Sequence, residues 1–313
     1  MGTVPQTTID KTVRFEGIAL HSGHYVRMSI HPAEADFGVV FERSDLDGSL
    51  SRRRILAGPK ALVETSLCTR LENPDGVTVS TTEHLMAALA GCGIHNALVR
   101  LDGAELPILD GSARDFARGL CAAGARLLDA PLRVIRLRRA IEVGTDDSWA
   151  RLEPAPHLSI AFEIDFPDAA IGRQHKELAM VDGAFLHELA DSRTFCRWVD
   201  VDLMRANGLA LGGSLDNAVV VDGAEVLTPG GLRHPDEPVR HKMLDVMGDL
   251  SVAGAPILGR YIGHRAGHAL TARLLRTLMA DPSSHDRIEI GSADASCLPG
   301  CKVAVLPSRV CGS

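Results

Sequence analysis

NALVRLDGAELPILDGSARDFARGLCAAG, residues 96–124, changes its hydrophobic period midway. Asn96 to Leu101 reads as a strand, closed by the turn signal Asp102-Gly103. Ile108-Leu109-Asp110-Gly111-Ser112 then leads into an amphipathic stretch with Phe116 and Leu120 that ends near Gly124. Working outward, the pattern breaks around Leu127 to Pro131 and restarts with Val134-Ile135. Leu158, Ile160, Phe162, Ile164 and Phe166 then alternate as a strand does. Period-2 and period-3.6 stretches following one another with short Gly, Asp or Pro punctuation predict mixed α and β layers. The expected domain boundary lies near residue 130, giving domains 1–130 and 131–313, and no sequence repeat joins the halves.

The chain has 313 residues, enough for about two domains at the usual ~100 to 200 residues each. Thirty-three basic against 40 acidic residues leave a net charge of −7, so the overall field repels polyanions and excludes a broad basic surface for nucleic acid. Hydrophobic residues at 45% and charged residues at 23% are globular proportions. Aromatics at 4% leave the core to Val, Leu, Ile and Ala, and make the 13 histidines the feature to follow. Seven scattered cysteines form no disulfide framework, which predicts reduced thiols and a cytoplasmic compartment; Cys297, Cys301 and Cys311 match no standard zinc spacing. Met1 to Gly23 lacks the apolar core of a signal peptide, and no stretch reaches the ~18 uncharged apolar residues of a membrane span.

Ser80-Thr81-Thr82-Glu83-His84-Leu85-Met86-Ala87-Ala88-Leu89-Ala90-Gly91 reads as a helix with a Ser-x-x-Glu capping box and a glycine stop. On that reading alone Glu83 is a cap and His84 incidental. A second helix spans Pro238 to Leu250, with proline near its start and Gly254 beyond its end. On it His241, Asp245 and Asp249 follow one another at intervals of four residues, about 40° apart around the axis, so they share one flank. A solvated face with an i, i+4 ion pair would look the same. Met243, Leu244, Met247 and Leu250 border the flank, however, and buried carboxylates are costly unless a cation or donor meets them. His84 is the natural third ligand beside His241 and Asp245. Two imidazoles and one carboxylate leave a fourth position for water, the pattern of a catalytic zinc site. Zinc acidifies its water and polarises a carbonyl, and Glu83, next to His84, could take the proton: the implied reaction is hydrolysis of an amide or ester.

These residues resemble the UDP-3-O-acyl-N-acetylglucosamine deacetylase family, the zinc amidases of bacterial lipid A synthesis. The resemblance rests on Gly17-Ile18-Ala19-Leu20-His21-Ser22-Gly23, Ser80 to Leu85, Leu106-Pro107-Ile108-Leu109-Asp110-Gly111-Ser112, Ser192-Arg193-Thr194-Phe195, Gly212-Gly213-Ser214, Arg240 to Asp249 and Gly267-His268-Ala269-Leu270. These run in order through roughly residues 10 to 280, and the segment 281–313 carries none of them.

The resemblance implies an α+β fold of two similar β-α-α-β layered domains, packed helix to helix with the metal between them and a small insert in each. It implies His84, His241 and Asp245 as ligands of Zn2+, with Fe2+ or Co2+ also suited to such a set. It further implies Glu83 as general base, Thr194 and His268 near the oxyanion and leaving amine, and Asp249 orienting and charging His268. Lys242 and Arg265 would face the diphosphate and Phe166 the uracil of an acylated UDP-N-acetylglucosamine, while Ser148 stands where many members carry a lysine before the Trp149 position. Residues 197 to 215, including Trp198, Val201, Leu209, Ala210 and Leu215, correspond to the insert that shapes the acyl passage. Two other readings fit a zinc-site fold: a hydrolase of another acyl amide, such as a peptide, and a non-catalytic binding protein. A peptidase would show His-Glu-x-x-His, which is absent, and a dead scaffold would have lost one of Glu83, His84, His241, Asp245 or His268.

Overall fold

The computed structural model describes residues 2–181 and 183–300 of the chain. Cys301 and Cys311 lie outside the described residues. Two five-stranded sheets carry the architecture. The first has the order Val13–Ile18, Tyr25–Pro32, Ala97–Leu101, Val39–Arg43, Arg54–Leu56; the second has Ile141–Thr145, Ser148–Glu153, Arg260–His264, Ser159–Asp165, Arg173–Ala179. Both orders are the same: two antiparallel hairpins with the last strand in sequence inserted between them. That inserted strand runs antiparallel to one neighbour and parallel to the other, Ala97–Leu101 to Val39–Arg43 and Arg260–His264 to Ser159–Asp165.

A parallel pair cannot be joined by a tight turn; it requires a crossover. Each crossover here contains a helix, α1 (Glu83–Gly91) in the first half and α4 (Glu237–Ser251) in the second. A further helix follows each inserted strand, α2 (Arg114–Ala123) and α5 (His268–Ala280). Each crossover also carries a small three-stranded sheet. In the first half it is Leu62–Val63, Arg70–Glu72 and Thr78–Val79; in the second it is Phe195–Arg197, Val219–Asp222 and Glu225–Val226, with α3 (Trp198–Ala206) beside it.

The fold is thus α+β; its main hydrophobic cluster includes Leu85, Met86 and Leu89 of α1 together with Val239, Met243, Leu244 and Met247 of α4, and a smaller one gathers Leu132, Val134, Leu258, Ile290 and Leu298. Every residue of α1 except Ala90 is buried, as its apolar circumference demands. Gly248 lets α1 and α4 meet backbone to backbone, since a Cβ there would lie 2.0 Å from the carbonyl oxygen of Glu83.

Two expectations are corrected. Residues around Leu127 to Pro131 do not interrupt the structure; Ala125–Pro131 is a strand paired antiparallel with Pro5–Ile9. Leu128 is its one buried side chain, so no hydrophobic period marks it. Gly91 is not a helix stop but a residue of α1, where a Cβ would fall 2.1 Å from the Phe185 ring; the cap is Cys92, and the left-handed residue is Gly93. Among the described residues no helix is long and apolar enough to cross a membrane.

Candidate metal centre between two helices

The site begins where α1 begins. Ser80 does not form a capping box with Glu83, because its amide is spent on the Ala104 carbonyl at 2.9 Å and the helix starts only at Glu83. Thr81 between them takes a left-handed φ of 57°. Glu83 therefore points away from the helix end, and its Oε2 accepts the Thr69 amide at 2.9 Å.

Across the seam, α4 presents His241, Asp245 and Asp249, each only 3–4% exposed, as are Glu83 and His84 at 3%. His84, His241 and Asp245 each offer one ligand atom, and these atoms lie within 4.8 Å of one another. Asp245 Oδ1 is 3.3 Å from His241 Nε2 and 3.7 Å from His84 Nε2, with the two rings edge to face at 5.0 Å. His241 Nδ1 meets the Ser192 carbonyl at 3.0 Å, which fixes this nitrogen as the donor and leaves Nε2 with its lone pair toward the cluster. On the other side of Asp245 stands His268, the first residue of α5. Its Nδ1 lies 2.9 Å from Asp249 Oδ2, and its Nε2 lies 3.7 Å from Asp245 Oδ2 and 3.9 Å from Glu83 Oε1.

Burial and charge set the protonation states apart. Burial above all, then neighbouring His241, depresses His84 to about 3, and burial likewise lowers His241, so both imidazoles are neutral and able to ligate. Asp245 is pulled the other way: burial favours its neutral form, but the cationic Lys242 and His268 beside it hold it ionised, well below the usual carboxylate range. Burial is also the largest influence on His268 and acts downward, yet Asp249, Asp245 and Glu83 lift the imidazolium to about 9. Glu83 is pushed up to about 7, by burial first, with Asp245 and Asp249 adding to it and His268 opposing. A neutral pair of imidazoles with an ionised carboxylate is a donor set for a divalent cation, and the hydrogen-bonded Nδ1 of His241 is the support such ligands need. The residues fit a metal.

The motif 192–195 is strapped to this cluster. Glu237, in the first turn of α4 and fully buried, accepts the Arg193 amide at 3.0 Å and its guanidinium at 2.9 and 3.0 Å, and the Arg233 amide at 2.6 Å. Arg233 continues to Asp110 at 2.9 Å. Thr194 donates its amide to Gly111 at 2.8 Å, where φ is +83° and a Cβ would strike the Asn217 carbonyl. The Thr194 hydroxyl makes no hydrogen bond to the cluster among the described residues. Phe195 packs edge-on to His241 at 6.3 Å, and Phe166 edge-on to Phe195 at 5.4 Å. Lys242 places its ammonium on Asp245 Oδ2 at 2.6 Å. Arg265 is exposed, with a φ of 49°, and its carbonyl accepts the Ser148 hydroxyl at 2.9 Å.

In the second insert Val201 is buried, whereas Trp198 is 52% and Leu215 39% exposed. The amides of Leu211 and Gly212 reach back to the carbonyls of His21 and Leu20, so this insert rests on the 17–23 motif. A cavity of about 430 Å³, lined by Met86, Leu89, Met247 and Leu250, includes no member of the cluster.

Four buried polar residues of the site escape sequence reasoning: Thr69, Glu105, Arg193 in its guanidinium role, and Glu237. Glu105 accepts the His21 and Ser22 amides at 2.7 and 2.9 Å and the Thr81 hydroxyl at 3.0 Å, tying the first motif to the approach to Glu83. Each has partners remote in sequence, Arg193 for Glu237 and Asp249 for Thr69 among them, so no spacing announces it.

A family model described as UDP-3-O-acyl N-acetylglycosamine deacetylase matches residues 6–280. A protein of Phenylobacterium zucineum named UDP-3-O-acyl-N-acetylglucosamine deacetylase is 50% identical over 279 residues, covering 89% of this chain and 94% of the relative. Proteins of the same name from Shewanella sp. strain W3-18-1 and Shewanella oneidensis are 43% and 42% identical over 285 residues, each covering 90% of this chain and 92% of the relative.

Proposed function

The chain belongs to the UDP-3-O-acyl N-acetylglycosamine deacetylase family, and from that premise we propose how its residues divide the work. The reaction is hydrolysis of the N-acetyl amide of UDP-3-O-(3-hydroxyacyl)-N-acetylglucosamine, with release of acetate, in lipid A biosynthesis. The observation that carries this reading is the buried convergence of His84, His241 and Asp245 with Glu83 on one side and the His268–Asp249 pair on the other.

His84, His241 and Asp245 hold the cation, which we assign as Zn2+, with Fe2+ an alternative the same donor set accepts. When bound, the cation supplies Lewis acidity, acidifying a water and polarising the amide carbonyl. Glu83 Oε1 faces the cluster and would take the proton of the attacking water as general base; a carboxyl lifted toward neutrality is matched to giving and taking protons near pH 7. His268 Nε2, on a ring kept cationic by Asp249, stabilises the negative oxygen and delivers a proton to the leaving nitrogen. Thr194, held by Gly111 beside the Arg193–Glu237 strap, is the candidate hydroxyl donor near the oxyanion.

Lys242 and Arg265 are assigned to the diphosphate and Phe166 to the uracil. Lys242 must then leave Asp245 or share itself between the two, since it is bonded there in the free protein. Two domains meeting near residue 130 and a cytoplasmic compartment complete the proposal; free thiols at Cys68, Cys196 and Cys297 accord with the latter.

The deciding experiment measures acetate release from the acylated UDP-sugar and from acetylated peptides, before and after removal of metal. Release from the UDP-sugar alone, lost on chelation and restored by stoichiometric Zn2+, is expected. Undiminished release after complete metal removal, or equal release from peptides, would overturn the assignment.

A further inference from the structure

Thr69 stands on neither site helix. It immediately precedes the strand Arg70–Glu72 of the first insert and is 3% exposed. All of its polar atoms nonetheless turn toward the site. The amide donates to Glu83 Oε2 at 2.9 Å. The carbonyl accepts from the amide and the hydroxyl of Thr82, the residue before Glu83, both at 3.3 Å. The hydroxyl donates to Asp249 Oδ1 and lies 3.2 Å from His268 Nδ1.

We propose that Thr69 is a positioning residue that fixes, from one point, the rotamer of the base Glu83 and the tautomer and orientation of His268. The inference rests on the roles proposed above for Glu83, His268 and Asp249. With Oε2 tied to the Thr69 amide, the free oxygen of Glu83 is Oε1, the one that faces His268 Nε2 at 3.9 Å. A hydroxyl has a single hydrogen, and that of Thr69 is spent on Asp249. Toward His268 its oxygen can therefore only accept. Nδ1 faces acceptors alone, Asp249 Oδ2 at 2.9 Å and the Thr69 oxygen, so it keeps its hydrogen and Nε2 is the nitrogen left to exchange a proton over the reacting amide. Base and acid sit on different halves of the molecule, on α1 and α5. Thr69 touches both.

The test compares Thr69→Val, which keeps the shape and loses the hydroxyl, with Thr69→Ser, which keeps the hydroxyl, and Thr69→Ala, each with metal content and thermal melt recorded. Thr69→Val and Thr69→Ala should lose about 10- to 100-fold in kcat, the size of a charge-assisted hydrogen bond, with KM within about twofold and metal retained. Thr69→Ser should recover most of the loss. Should the valine variant fail to fold, serine against alanine carries the same comparison. A serine variant as slow as the valine or alanine variant would assign the effect to packing and overturn the inference, as would near-wild-type kcat in the alanine variant. Glu83→Gln and His268→Gln are measured alongside. If they lose activity while Thr69→Val does not, only the inference fails; if they keep it, the reading of the site fails and the inference with it.

Discussion

The two halves share a sheet order and a crossover helix, yet they contribute chemistry unequally. α1 offers only its first turn, Glu83 and His84; α4 offers His241, Asp245 and Asp249 over successive turns, and α5 adds His268 as its first residue. α2, the counterpart of α5 in the first half, brings nothing to the cluster, although Asp110 and Gly111 just before it brace the strap that carries Thr194. The same topology thus fixes where helices meet, while individual side chains decide what the meeting place does. A site lying in the seam belongs to neither half alone.

The largest expected effects come from opening the seam at its proposed ligands. His84→Ala removes the first half's share, and His241→Ala or Asp245→Ala removes the second's; each should strip the metal and abolish deacetylation, as chelation of the wild type should do reversibly. Metal analysis with an acetate assay reads both. Stoichiometric metal in His84→Ala would show that α4 holds the ion without α1. Glu83→Gln should come next, losing ~10² to 10⁴ in kcat with metal in place, because the proposed base stands beside the proposed ligand set and not in it. Near-wild-type turnover of that variant would leave Glu83 with no part in proton transfer.

Gly248→Ala probes the seam itself. Its methyl would lie 2.0 Å from the Glu83 carbonyl and 2.9 Å from its Cα, so the two helices must part. Overpacking of this kind costs ~1 to 3 kcal/mol, read as a lower melting temperature. A displacement of about 1 Å between base and ligands can cost on the order of 10²-fold in rate. An unchanged kcat in a folded Gly248→Ala enzyme would mean that the two helices need not be in register for catalysis.

Much of this was legible in the chain, and what was hidden has a physical reason. Strand 96–101, the helix leading to Gly124 and the alternating run 158–166 follow from their periods, and the three prospective ligands from their spacing on an apolar helix. The strand Ala125–Pro131 was illegible because a single buried residue gives no period and its partner, Pro5–Ile9, is far away in sequence. The shared topology of the halves was implied by the family resemblance alone and hidden from the residue pattern, because hydrogen-bonded strand order survives where side-chain identity does not. Glu83 was visible as a candidate base beside His84, but its local pattern pointed to Ser80 as its hydrogen-bond partner; the partner it has, Thr69, emerges only when the chain folds.

The smallest and most discriminating change is expected from Asp249→Asn, which alters charge on the second half without touching a proposed ligand. The dependence of kcat/KM on pH should be bell-shaped, rising as Glu83 loses its proton and falling as His268 loses its own, with ordinary values of 4.5 and 6.5 shifted to about 7 and about 9 in the metal-free protein. A bound cation lowers both, so the profiles are compared at metal saturation. Asparagine keeps an oxygen for the Nδ1–H of His268 but removes the charge that lifts it; burial, which acts downward, then gains ground, and the alkaline limb should move to lower pH. Asp249 also raises Glu83, more weakly than burial does, so the acid limb should move the same way by less. The bell should therefore narrow from its alkaline side. An alkaline limb that stays in place, with metal retained, would assign that limb to another group, since coupled sites report values that belong to the cluster and not to one residue.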